Sequence, residues 1–223
     1  MDELSSLLKD TFGFFSRHLT AICQLVLPCL IPLNLLYAFA GSMSSDLNQV
    51  FWLTTILGLL VYPLYQGALI VYMTAFIAGK TLTRAECYRA SLRYWRPLFL
   101  LSVMTSLAFA VGLFAFILPG LYIVARLAFA EFYCVLEGQE ALASMHKSWQ
   151  ETKDKLWLIL SGGITIMLVI TLPFELIDVG IKQLQIGNPV FTFVLSTLES
   201  LLMVLLTIFS YRVFTLIKHN KIS

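Results

Sequence analysis

Six apolar stretches that can be read as membrane spans, or four plus a close hairpin, dominate this 223-residue chain. A helix needs about 20 mostly apolar residues to span a hydrocarbon core about 30 Å thick. By that measure spans are expected at Leu19 to Ala40, Val50 to Ala78, Leu98 to Leu118, Leu121 to Leu136, Leu156 to Ile177 and Val190 to Ile217. The fourth is short. Only Pro119-Gly120 separates it from the third, so a tight turn is expected there. The expectation is an all-α polytopic membrane bundle, residues 1–223 forming one integral-membrane domain.

Composition agrees. Charged residues make up 13% of the chain, against about 25% in soluble domains. Mean hydropathy is +0.84. A soluble domain could not solvate its surface with so few charges. A net charge of +2 carries no nucleic-acid footprint. Cys23, Cys29, Cys87 and Cys134 form no CxxC pair and read as small hydrophobes. Asp2, Glu3 and Asp10 ahead of a long apolar run argue against a cleaved signal peptide.

Basic residues set the expected orientation. Thirteen of the fifteen Lys and Arg fall on one side of the spans, only Lys182 on the other, and Arg126 inside a span. By the positive-inside rule both termini are expected to be cytoplasmic. The segments Ser42–Gln49 and Gly180–Pro189 should then face outward.

The cytoplasmic segments carry a threefold pattern. Residues 4–19 put Leu4, Leu8, Phe12, Phe15 and Leu19 on one helical stripe. Residues 83–99 open with a Thr83–Glu86 capping box and align Tyr88, Leu92, Trp95 and Phe99 beside Arg89, Arg93 and Arg96. Residues 140–157 align Leu142, Met145, Trp149 and Leu156. Each segment precedes two spans. The chain thus reads as three hairpins, each led by a cytoplasmic amphipathic helix suited to a headgroup layer. Clustered Lys and Arg at that face attract anionic lipid. Membrane lipids, anionic ones included, and a membrane-protein partner are the expected contacts.

No catalytic, cofactor or metal signature is present: no GxSxG, HExxH, phosphate loop or Walker motif. His18, His146 and His219 all fall in cytoplasmic segments. The residues of interest are polar groups within spans, which are costly there: Asn34, Gln66, Arg126, Glu131 and Glu199, with Glu175 and Asp178 near the outer end of the fifth. Pro28, Pro32, Pro63 and Pro173 interrupt helices. Such breaks occur at transport sites but are also tolerated generally. Gly162-Gly163 reads as a close-packing site. Counted from Gly120, Arg126 lies about 9 Å below the outer turn, and Glu199 about 14 Å into the last span. An Arg126–Glu199 contact is therefore expected, with Glu175 as the second choice of partner.

The run Ile117-Leu118-Pro119-Gly120-Leu121-Tyr122, then Arg126, Glu137, Ala143-Ser144-Met145, Ser148-Trp149 and Thr152, resembles a widespread bacterial membrane family. Lys9-Asp10-Thr11 with Phe14-Phe15, and Tyr211-Arg212-Val213-Phe214 with Leu216-Ile217-Lys218, extend the likeness to both ends. It is most similar to the YciC family of multi-pass inner-membrane proteins, and similar to the membrane domain fused to some glycerophosphodiester phosphodiesterases. Arg126 and Glu137 fit the broader family better than the YciC branch. The resemblance implies a six-span inner-membrane protein with hairpin-motif residues Pro119, Gly120, Tyr122, Arg126, Glu137 and Ser148. It implies no activity.

Residue chemistry and resemblance together favour a non-enzymatic protein that acts through lipid or protein contacts in the envelope. A small-solute or lipid transporter is the alternative. An intramembrane lipid enzyme is a third reading, and would need a constellation such as Glu131, Glu175 and Asp178 opening to one cavity.

Overall fold

The computed structural model describes residues 2–43, 47–184 and 188–220. Among them the regular structure is helical: α1 (Asp2–Arg17), α2 (Leu19–Met43), α3 (Leu47–Ile77), α4 (Arg84–Arg93), α5 (Trp95–Ala115), α6 (Ile117–Leu127), α7 (Ala130–Leu136), α8 (Ala141–Glu151), α9 (Leu156–Gln183) and α10 (Pro189–Asn220). A short 3-10 turn, Lys153–Lys155, joins α8 to α9. Six spans are long and apolar enough to cross a membrane: Leu19–Phe39, Val50–Ile77, Trp95–Phe114, Ile117–Leu136, Lys153–Ile181 and Pro189–Lys218. This is a multi-pass membrane protein. The centres of the two expected outer loops, 44–46 and 185–187, lie outside the described residues.

The spans close into a ring in chain order. α2 packs on α3, α3 on α5, α5 on α6, α6 on α9, α9 on α10, and α10 back on α2. α7 leans on α3 and α5. The ring's outer wall is apolar: Phe114 is 97% exposed and Trp157 81%. A helix in a soluble core would hide such side chains, whereas lipid tails accept them.

The expected Pro119-Gly120 turn is not the turn. The chain reverses at Phe116, whose backbone is extended, and α6 begins at Ile117. Pro119 falls in the first helical turn, where its missing N–H is an orphan in any helix. Gly120 instead serves packing. A Cβ on Gly112 would lie 2.8 Å from the Gly120 Cα, so these two glycines let α5 and α6 cross closely. Gly162 acts similarly in α9. A Cβ there would overlap the buried Phe209 ring of α10, as the close-packing reading of this glycine requires.

Two positive-φ glycines mark where chain direction changes. Gly79 (φ 68) follows α3 and Gly138 (φ 66) follows α7. Each lets a following N–H reach back to the helix, Lys80 N to Ala75 O at 2.8 Å and Gln139 N to Tyr133 O at 3.4 Å.

The expected amphipathic segments differ from the observed helices in bounds and in the face they bury. Residues 4–19 become α1, broken from α2 at His18. Residues 83–99 divide at Tyr94, so Trp95 and Phe99 belong to α5. The Thr83–Glu86 capping box is present in full. The faces packed on the bundle are Leu7, Thr11 and Phe15 in α1, Cys87 and Ser91 in α4, and Ala141, Ser144 and Ser148 in α8. In α4 and α8 these are small residues, which bring a helix backbone close to its neighbours. The expected apolar stripes lie partly outward: Phe12, Leu19, Leu92, Leu142 and Trp149 are all exposed.

Candidate functional site

The kinks come first, because they shape the interior. Pro28 and Pro63 interrupt α2 and α3. A proline removes a helical hydrogen bond and opens the turn before it. The carbonyls three residues before each proline are taken by side chains from the α4–α5 junction. Tyr88 Oη donates to Leu25 O. Trp95 Nε1 donates to Leu60 O at 3.0 Å. Between them, Ser91 Oγ lies 2.9 Å from Pro63 O and 2.7 Å from Leu64 O. Trp95 is half-buried, its N–H spent on α3 and its ring stacked on Phe99 at 5.3 Å. Arg89, Arg93 and Arg96 remain exposed.

Inside the ring, just beyond the Pro63 kink, lies the main polar cluster. Tyr62 Oη donates to Glu131 Oε1 at 2.7 Å. Gln66 Nε2 donates to Glu131 Oε2 at 2.6 Å. The same amide nitrogen meets Thr207 Oγ1 at 2.9 Å. α3 and α7 thus meet at one carboxylate, and α10 joins the cluster through Thr207 on Gln66. Sequence inspection marked Gln66 and Glu131 but missed Tyr62 and Thr207. Their signal was spacing: Tyr62 and Gln66 stand four residues apart and share a helix face.

Two cavities meet at this cluster. One, about 470 Å³, lies between α2, α3, α5 and α6, with Thr55, Gly58, Tyr65, Ser102, Thr105 and Phe109 in its wall. The other, about 300 Å³, extends toward α9 and α10 past Leu121, Gly163, Met167 and Ser210. Tyr62, Thr105, Val124 and Glu131 line both. The walls are mainly apolar with scattered hydroxyls, and the one ionisable carboxylate sits where the cavities join. Pockets of this size and lining accept small organic ligands.

Three of the hairpin-motif residues, Tyr122, Arg126 and Ser148, belong to a second constellation, near the break between α6 and α7. A helix end leaves carbonyls without intrahelical donors. Ser148 Oγ donates to Arg126 O at 2.8 Å and accepts from Phe129 N at 3.1 Å. Thr152 Oγ1 also reaches Arg126 O, at 3.1 Å. Both hydroxyl residues are fully buried. The Arg126 guanidinium lies over the Trp149 ring at 4.7 Å and near the Tyr122 ring at 5.8 Å. Tyr122 and Trp149 meet edge-on at 5.7 Å.

The expected Arg126–Glu199 contact is therefore corrected. Among the described residues no ion pair joins them. Arg126 is 5% exposed, its Nε lacks a hydrogen-bond partner, and aromatic faces compensate its charge. Depth counting failed because α8 folds back against α6 and α7 and brings Trp149 to the arginine. Glu199 is acted on instead by Glu175 and Asp178 of α9. Glu131 lines the two cavities described above, and neither Glu175 nor Asp178 is among their lining residues. Asn34 bridges α2 to α10 through Ser200, at 3.4 Å.

Glu137, also from the motif, closes the far end of α7. It binds Lys147 of α8 and Lys218 of α10. Burial alone would raise its pKa, but hydrogen bonds and charge from the two lysines outweigh burial and hold it below the ordinary carboxylate value. A carboxyl with a depressed folded pKa stabilises fully above its unfolded value, about 4.3, and loses that contribution as pH falls through the folded value. Thermal melts of wild type and Glu137→Gln in detergent should differ by a few degrees at neutral pH and converge under acid. A gap that persists at the lowest pH would contradict this.

Among the described residues no three His, Cys, Asp or Glu side chains gather as a metal site. Compared with known proteins, the chain matches no family model, no curated protein and no solved structure.

Proposed function

We propose that this chain is a non-enzymatic, multi-pass inner-membrane protein, both termini cytoplasmic, that holds an amphiphile, a lipid or small solute, in the cavity at Glu131. The observation that carries this reading is the junction of two cavities at one hydrogen-bonded carboxylate inside a ring of spans. An apolar wall with a polar floor fits a molecule of the same character. Thirteen basic residues on one side support the orientation. The three hairpins, each led by an interfacial helix, belong to this reading. Outward Phe12, Leu92 and Trp149 would contact the headgroup layer, with Arg89, Arg93 and Arg96 toward anionic phosphate. Kinship with the YciC family is part of the proposal and rests on the motif residues gathered at the α6–α7 break. A permease is the second reading, favoured by the proline-interrupted helices α2 and α3 beside the cavity.

Gly58 supplies the test. It lines the larger cavity, and a Cβ there meets nothing within 4 Å. Gly58→Phe should fill the space without displacing protein atoms. Native mass spectrometry of the purified protein should show a retained amphiphile that Gly58→Phe loses. Equal occupancy in both proteins would refute the reading.

A further inference from the structure

The ligand's charge can be inferred from what surrounds Glu131. Its two oxygens accept hydrogen bonds from Tyr62 and Gln66, both neutral donors. Among the described residues, no Lys, Arg or His side chain forms an ion pair with it. Outside the spans, by contrast, Glu3, Asp10 and Glu137 all have basic partners. An ionised carboxylate in a low-dielectric interior is costly until a cation joins it. No Lys, Arg or His is among the residues that line the two cavities, and the larger, about 470 Å³, has room for a ligand.

We propose that the Glu131 cavity is a site for an organic cation with an apolar body, such as a lipophilic ammonium or phosphonium. This deepens, and rests on, the amphiphile reading above. Three features of the site suit such a ligand. Glu131 supplies the counter-charge. The rings of Tyr62 and Tyr65, packed edge-on at 5.5 Å, and of Phe109 line the same cavity. Aromatic faces attract cations that carry no hydrogen-bond donor. The remaining wall is apolar enough to receive the ligand's body. Calcium or magnesium suits the site poorly, because each wants six or more oxygen ligands and the cavity presents one carboxylate.

Tetraphenylphosphonium and tetraphenylborate are probes of one shape and opposite charge. Binding of each to the full chain in lipid nanodiscs would be measured, less binding to empty nanodiscs. Wild type should take the phosphonium and prefer it at least tenfold over the borate. Glu131→Gln keeps an acceptor for Tyr62 and should lose that preference, weakening phosphonium binding about tenfold. Gly58→Phe should abolish protein-specific binding of both ions. Equal binding of the two ions by wild type, blocked by Gly58→Phe, would overturn the cation proposal and leave the amphiphile cavity standing. Binding that Gly58→Phe does not change, or no protein-specific binding at all, would overturn both. The wild-type comparison needs no variant to fold. A thermal melt would check that Glu131→Gln does.

Discussion

Gly162→Leu is expected to be the most damaging single change in the bundle. The Phe209 ring occupies the space where a Cβ would stand, and that ring is 1% exposed. It cannot swing aside without disturbing Leu205 and Ile208, which are buried beside it in α10. α9 and α10 must therefore separate. Overpacking of a dense interior costs about 1–3 kcal/mol, and backbone displacement puts this case at the upper end. Loss of the folded species in size-exclusion profiles, or a large fall in melting temperature, would be the readout. Gly163→Leu, where a Cβ meets nothing within 4 Å, is the matched control for α9 packing. Equal tolerance of the two would show that the α9–α10 contact is not as drawn. A compensating Phe209→Ala should recover part of the loss in Gly162→Leu, because it vacates the contested volume.

The second large effect concerns the α6–α7 break. Ser148→Ala removes a donor to Arg126 O and the acceptor of the Phe129 N–H. An unsatisfied buried N–H costs about 1–3 kcal/mol. Thr152→Val alone should be milder, since Ser148 still serves the carbonyl. The double variant leaves Arg126 O without either hydroxyl, so the losses should exceed their sum. Melting temperatures of the two single variants and the double variant measure that coupling. Strict additivity would mean that the hydroxyls do not share one acceptor.

Much of the architecture was legible in the chain. Six spans followed from run length alone, because a bilayer of fixed thickness demands about 20 apolar residues whatever their order. The Thr83–Glu86 box was legible for a similar reason, since capping depends on residues three apart. Gln66 and Glu131 stood out because ionisable and amide groups are rare in spans. Other features were not legible. Proline-glycine is an ambiguous local signal: the same pair can make a turn or sit in a helix's first turns. Phe116 took the reversal because Gly112 and Gly120 are needed where α5 meets α6. Apolar stripes located the amphipathic segments but not the face each buries, since lipid competes with protein for the same side chains. Small Ser, Ala and Cys residues won the protein-facing positions of α4 and α8.

Sequence by itself determined how many times the chain crosses, where each crossing begins within a few residues, and which side carries the basic charge. These depend on local composition and bilayer thickness. The tertiary structure alone decided who meets whom. It brought Trp149 over Arg126, which depth counting had assigned to Glu199. It set Tyr62 against Glu131 and Thr207 against Gln66, across sequence separations of 69 and 141 residues. Such contacts depend on how the six spans close into a ring, and apolar periodicity is silent on that closure because every span presents an apolar surface to lipid as well as to its neighbours.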